Sequence, residues 1–236
     1  MNDMRSPVSQ AETCLSCHVG DARLGRLVTH EMYAAGHPPL PPVELTAFSE
    51  AEPKHWRYLA EKPKAIQQAA KFDPTASEKL KLSVIGGVVA FQKNLEILAG
   101  VAEVRPLDPA DSQKAPGDRW PEFALYDCFA CHHELAYPGW RQARGFHGPP
   151  GRVKPFLWAS DAVQLALSAL AAPEAEREEF VTALARMNET FNQVPYGDPA
   201  QVSAAVAPLI NFTQGVIRRL AETRFDCAVS QNLVKQ

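Results

Sequence analysis

Residues 73–104 read DPTASEKLKLSVIGGVVAFQKNLEILAGVAEV, and this stretch decides the fold class. Leu80, Val84, Val88, Phe91, Leu95 and Leu98 recur at the three- and four-residue spacing of one helical face, and Asp73-Pro74-Thr75 supplies a helix start. The most apolar window, Leu82 to Val101, is interrupted by Gln92, Lys93, Asn94 and Glu96. It therefore falls short of the roughly 20 apolar residues of a membrane span and predicts a buried helix, with no transmembrane segment in the chain.

Three further apolar stretches follow at about 156–171, 174–190 and 199–226. Leu165, Leu167 and Leu170 mark the first, and Phe180, Leu184 and Met187 the second. The third carries Val202, Val206, Leu209, Phe212, Val216 and Leu220, with a kink expected at Pro208. A period-2 run of any length is missing from the sequence, so the expected fold is all-α, with these stretches and the 75–104 helix forming an antiparallel bundle of four.

Outside those stretches the chain is richer in turns. Its 20 prolines and 13 glycines cluster around 36–53, 105–121 and 138–155, which read as loops between helical blocks. Residues 14–53 predict a loop-rich layer with at most short helices. From Lys54 the pattern becomes helical, with Trp56, Leu59 and Ala60 at helical spacing and Pro63 ending the first turns. Phe123, Tyr126 and Phe129 predict a short helix after Trp120-Pro121-Glu122. With 46% apolar residues a core is expected, and a net charge of −3 from 24 basic and 27 acidic residues leaves no basic block for nucleic acid. Glu174, Glu176, Arg177, Glu178 and Glu179 read as the solvated first turns of a helix, where acidic residues suit the dipole.

Four of the five cysteines form two Cys-x-x-Cys pairs, each followed at once by histidine: Cys14-Leu15-Ser16-Cys17-His18 and Cys128-Phe129-Ala130-Cys131-His132. Two thiols about one helical turn apart can add across the two vinyl groups of haem, which places the adjacent histidine under the ring as an iron ligand. Two haem c groups are therefore expected, held by Cys14, Cys17 and His18 and by Cys128, Cys131 and His132. A four-thiolate zinc site is the rival. It usually separates its pairs by about 15–20 residues, far less than the interval here, and has no use for the histidines. A thioredoxin-like dithiol would expect a βαβ context. Cys227 is left over and reads as an incidental thiol.

Each iron would need a sixth ligand. His30, His37 and His133 are the leading candidates, and His55 and His147 the weaker ones. His30 and His37 are seven residues apart, and Gly36 and Pro38 fix the backbone around His37. His133, directly after a proximal ligand, must point away from its own haem and so toward a neighbouring one. Met32 alone of the methionines lies near a motif, and Met187 reads as core. Paired histidines favour low potentials and close the iron to substrate, which favours an electron carrier over an enzyme. Tyr126, Asp127, Arg141 and Arg144 flank the second motif. The arginines are suited to haem propionates and Tyr126 to packing on a ring.

The two motifs, the stretch THEMYAAGHPPL (Thr29–Leu40) and the doublet His132-His133 resemble the multihaem c-type cytochromes. The likeness is to the bis-histidine group that includes the tetrahaem carrier of the nitrification pathway and relatives of hydroxylamine oxidoreductase. It covers about residues 12–148. It implies a protein that passes single electrons between redox partner proteins in the periplasm or cell envelope; the alternative is a haem oxidoreductase, or a subunit of one, acting on a small nitrogen or sulfur compound. Members typically hold four or more haems, so further haem-binding sequence upstream is expected, although no export signal is visible in residues 1–13. The expected organisation is a first haem-binding region at 1–53, a helical segment at 54–104, a second haem-binding region at 105–150, and C-terminal helices at 151–236 packing with 75–104.

Overall fold

The computed structural model describes residues 3–51, 53, 56–103, 120–139, 143, 149 and 151–234. Among these the chain is all-α, with isolated bridges at Asp21/Arg26 and Tyr126/Pro155 in place of strands. The helices are α1 (Pro7–His18), α2 (His30–Ala34), α3 (Leu45–Ala51), α4 (Lys64–Ala69), α5 (Glu78–Ala102), α6 (Ser160–Ala169), α7 (Glu174–Gln193), α8 (Pro199–Glu222) and α9 (Cys227–Val234).

α5 is the central element. Val84, Val88, Phe91, Leu95 and Leu98 are buried as the periodicity predicts, but so are Leu82, Ile85, Val89 and Ile97 on its other faces. Those faces are covered by α1, α3, α6 and α8. By length and composition α5 would also pass as a membrane span, and 67% of its most apolar window lies buried inside the protein. Its start falls later than the sequence predicts. The Ser77 side chain caps it by accepting from Leu80 N (3.2 Å), while Asp73 instead accepts from both the backbone and the hydroxyl of Thr75 in a turn ahead of the helix.

The hydrogen bonds between α5 and α8 fix their relative direction. Ser77 N donates to Phe225 O (2.7 Å), Lys81 Nζ to the carbonyls of Ala221 and Thr223, and Thr213 Oγ1 to Gln92 Oε1 (3.4 Å). Partner numbers fall as α5 advances, so the two helices are antiparallel. Lys81 thus closes the carbonyl end of α8, where a cation suits the dipole, and burial holds its ammonium below the usual lysine value. α7 packs on α8, and Phe180 meets both Phe91 (5.8 Å) and Phe212 (5.6 Å). α8 runs through Pro208. The acidic start of α7 is solvated at Glu174, Glu178 and Glu179, while Glu176 pairs with Arg219.

Several local expectations are corrected. Leu165 is 46% exposed, and Val163, Ala166 and Leu167 carry the buried face of α6. Residues 56–70 contribute only a 3-10 turn at Leu59–Glu61 and the six-residue α4. The larger correction is at the N-terminus. α1, a twelve-residue helix, begins ahead of the expected loop-rich layer and runs into its first five residues, with Ala11 and Leu15 completely buried in the cluster that also holds α5, α6 and α8 residues. Two apolar positions four residues apart are too few to signal a helix, yet they suffice when a neighbour already presents an apolar face.

Candidate functional site

The first Cys-x-x-Cys-His motif is the last turn of α1. Leu15 anchors the turn to the core, and Cys14 and Cys17 lie three residues apart on the helix, Cys14 half-buried and Cys17 exposed. Burial, and then the neighbouring Cys17, push the Cys14 thiol up. The helix ends just past His18, where Val19 N and Gly20 N both donate to Leu15 O. Gly20 has φ +129°, and a Cβ there would lie 2.5 Å from Arg26 O, so the turn admits only glycine. His18 lines a cleft of about 720 Å³, open mouth included, whose walls include Val28, Tyr33, Leu40, Leu98, Leu125 and Trp158. Burial pushes the Tyr33 phenol up.

Two 3-10 turns, Phe123–Leu125 ahead of the second motif and Cys128–Ala130 within it, stand in place of the predicted short helix. Asp127 caps the second turn by accepting from Phe129 N (3.1 Å), and His132 N donates back to Cys128 O (2.8 Å). Cys128, Cys131 and His132 are exposed. Ahead of them Tyr126 is 3% exposed and ringed by Trp120, Phe191 and Tyr196, and its hydroxyl donates to Tyr196 O (2.8 Å). Trp120 Nε1 donates to Gly197 O (3.0 Å). The motif is thus fastened to the α7–α8 connection, and Tyr126 packs among protein rings. Burial pushes its phenol up.

Between the motifs stands α2, begun by Thr29, whose hydroxyl accepts from Met32 N (3.3 Å). Its first residue, His30, faces the second motif: the His30 and His132 rings have centroids 6.2 Å apart and planes 28° apart. Phe123 closes on the edge of His30 at 5.7 Å. Two metal–nitrogen bonds of about 2 Å, each extended by about 1.1 Å from nitrogen to ring centre, span about 6.2 Å. The rings are stacked, and the distance between their centres, taken alone, equals that of two imidazoles sharing one metal ion. Tyr33, three residues along the same helix, lines the cleft beside His18, so α2 borders both motifs.

His37 and His133 are exposed and do not join that pair. In each, Nδ1 lies against the carbonyl of the next residue, Pro38 O at 2.6 Å and Glu134 O at 2.7 Å. A carbonyl only accepts, so Nδ1 is the donor in each contact, and Nε2 takes no part in it. Met32 is 41% exposed on α2, and Met187 is fully buried in the core. His55, His147, Arg141 and Arg144 lie outside the described residues. Among the described residues, no three His, Cys, Asp or Glu side chains converge as metal donors. A two-imidazole iron site needs only two.

Glu122 belongs to no motif in the sequence. It is 5% exposed, and its Oε1 accepts from His30 N (2.7 Å) and Ala124 N (3.0 Å). A glutamate after a proline carries no sign of a partner 92 residues away. Comparison with protein-family models, curated proteins and solved structures gives no match.

Proposed function

We propose that this chain is a multihaem c-type cytochrome that passes single electrons between redox partner proteins in the cell envelope, resembling the bis-histidine multihaem cytochromes. The observation that carries the proposal is the facing of His30 and His132 at 6.2 Å beside the exposed thiols of Cys128 and Cys131. Cys128 and Cys131 would hold the second haem by thioether bonds, with His132 and His30 as the residues that would ligate its iron. Cys14 and Cys17 would hold the first, with His18 as proximal ligand turned to the cleft that α2 borders. Bound there, haem iron supplies one-electron chemistry between its ferric and ferrous states.

The protein's own contribution is position. Leu15 and Tyr126 fix the two motifs to one core, and α2 borders both, through Tyr33 at the first and His30 at the second. Apolar walls from Val28, Leu40, Leu98 and Trp158 limit water at the first seat, while two histidines on a haem at the second would leave substrate no open position and favour a low potential.

The test joins intact-mass spectrometry with optical spectra of oxidised and dithionite-reduced protein expressed with a c-type maturation system. Two haem adducts and a low-spin spectrum are expected, and His30→Ala should convert one haem to high-spin while both adducts remain. A wild-type chain with no haem mass would overturn the proposal.

A further inference from the structure

We infer that Glu122 is the positioning residue that holds His30 opposite His132, an inference that rests on the haem reading of that pair. α2 has only five residues, too few to be stable alone, so its placement must come from contacts outside it. Thr29 shapes its first turn but belongs to the same segment. Glu122 comes from the other side of the pair, and its buried carboxylate accepts the backbone N–H of His30 itself.

The same oxygen, Oε1, accepts from Ala124 N and so opens the 3-10 turn Phe123–Leu125. From there the chain passes through the buried Tyr126 and the Asp127 cap into Cys128–His132 within ten residues of Glu122. One carboxylate oxygen thus ties together the two backbones that bear the two imidazoles. An iron–nitrogen bond tolerates little displacement, and a side chain that fixes the backbone at the ligand leaves only the imidazole's own rotations free. Phe123, carried by the turn that Glu122 opens, restricts those rotations by meeting the ring edge at 5.7 Å.

A hydrogen bond from a backbone amide to a carboxylate is among the stronger ones, and its acceptor can be replaced by the amide oxygen of glutamine without loss of shape. The experiment compares wild type, Glu122→Ala, Glu122→Gln and His30→Ala as haem-loaded, full-length proteins, reading the low-spin fraction by optical and electron paramagnetic resonance spectra. Glu122→Ala should lose low-spin character at one haem, as His30→Ala does, and added imidazole should restore it. Glu122→Gln should stay near wild type, and the double variant Glu122→Ala, His30→Ala should add nothing to His30→Ala alone. Hydrogen exchange at the His30 amide gives a readout independent of haem. It should quicken by roughly tenfold to a hundredfold in Glu122→Ala and little in Glu122→Gln.

Two haem adducts with an unchanged low-spin spectrum in Glu122→Ala would overturn the inference, as would a His30 amide that exchanges in the wild type as fast as open chain. Should Glu122→Ala fail to fold by circular dichroism, Glu122→Asp, which shortens the arm by one methylene, is expected to give a partial loss, and full retention would count against the inference. A chain that protects the His30 amide through Glu122 but carries no haem would separate the two claims. The clamp would stand and the haem reading would fall.

Discussion

Replacing Tyr126 by phenylalanine isolates one bond in the anchor of the second motif. The wild-type hydroxyl donates to Tyr196 O at 2.8 Å in a partly buried setting, while the ring lies 5.7–6.5 Å from the rings of Tyr196, Phe191 and Trp120. Phenylalanine keeps those ring contacts and leaves the carbonyl to whatever water reaches it, a loss of about 1.5 kcal/mol. For a chain of 236 residues each kcal/mol moves the melting temperature by roughly 2–4 °C, so a fall of roughly 3–6 °C is expected. Tyr126→Ala removes the ring as well. A buried aromatic costs about 3–5 kcal/mol to truncate to alanine, and the melting temperature should drop by roughly 6–20 °C in total. Differential scanning calorimetry of the three proteins under one buffer checks both steps. The reasoning fails if Tyr126→Phe melts within a degree of wild type, or if Tyr126→Ala is no worse than Tyr126→Phe. Either result would mean that the 122–132 segment is not fastened where the structure has it.

Leu15→Ala should destabilise the protein by about 3 kcal/mol, because Leu15 is fully buried; chemical denaturation measures it, and a loss below about 1 kcal/mol would mean that α1 is not docked on α5. Asp73 accepts hydrogen bonds from the Thr75 hydroxyl and amide and from Arg224, which hold its carboxyl at about 2, below its ordinary 3.8. Its folded value is depressed, so its contribution is complete above about pH 4 and disappears as the pH falls through about 2. Melting curves from pH 2 to 5 should therefore converge for wild type and Asp73→Asn at the acid end and separate above it, with wild type the more stable; parallel curves would count against the assignment.

What the sequence determined by itself was local. The period of Leu80 through Leu98 is a property of consecutive residues, so the central helix and the all-α class could be read from it. The Cys-x-x-Cys-His spacing is equally local, a pattern within five consecutive residues at each place. Leu165 shows the limit of such reading: its spacing from Leu167 and Leu170 could not say which face of α6 would turn toward α5.

Only the tertiary structure decided the partners. That α1 is a helix follows from the apolar face α5 offers to Ala11 and Leu15. That His30, among the candidate histidines, faces His132 follows from α2 being carried across to the second motif and held there by Glu122. His37 and His133 each set Nδ1 against the carbonyl of the next residue, a local feature, but only their place in the fold leaves them outside that pair. The physical reason is common to all three. A chain of this length brings together groups about a hundred residues apart, and no pattern within a few turns of either group encodes which of them will meet.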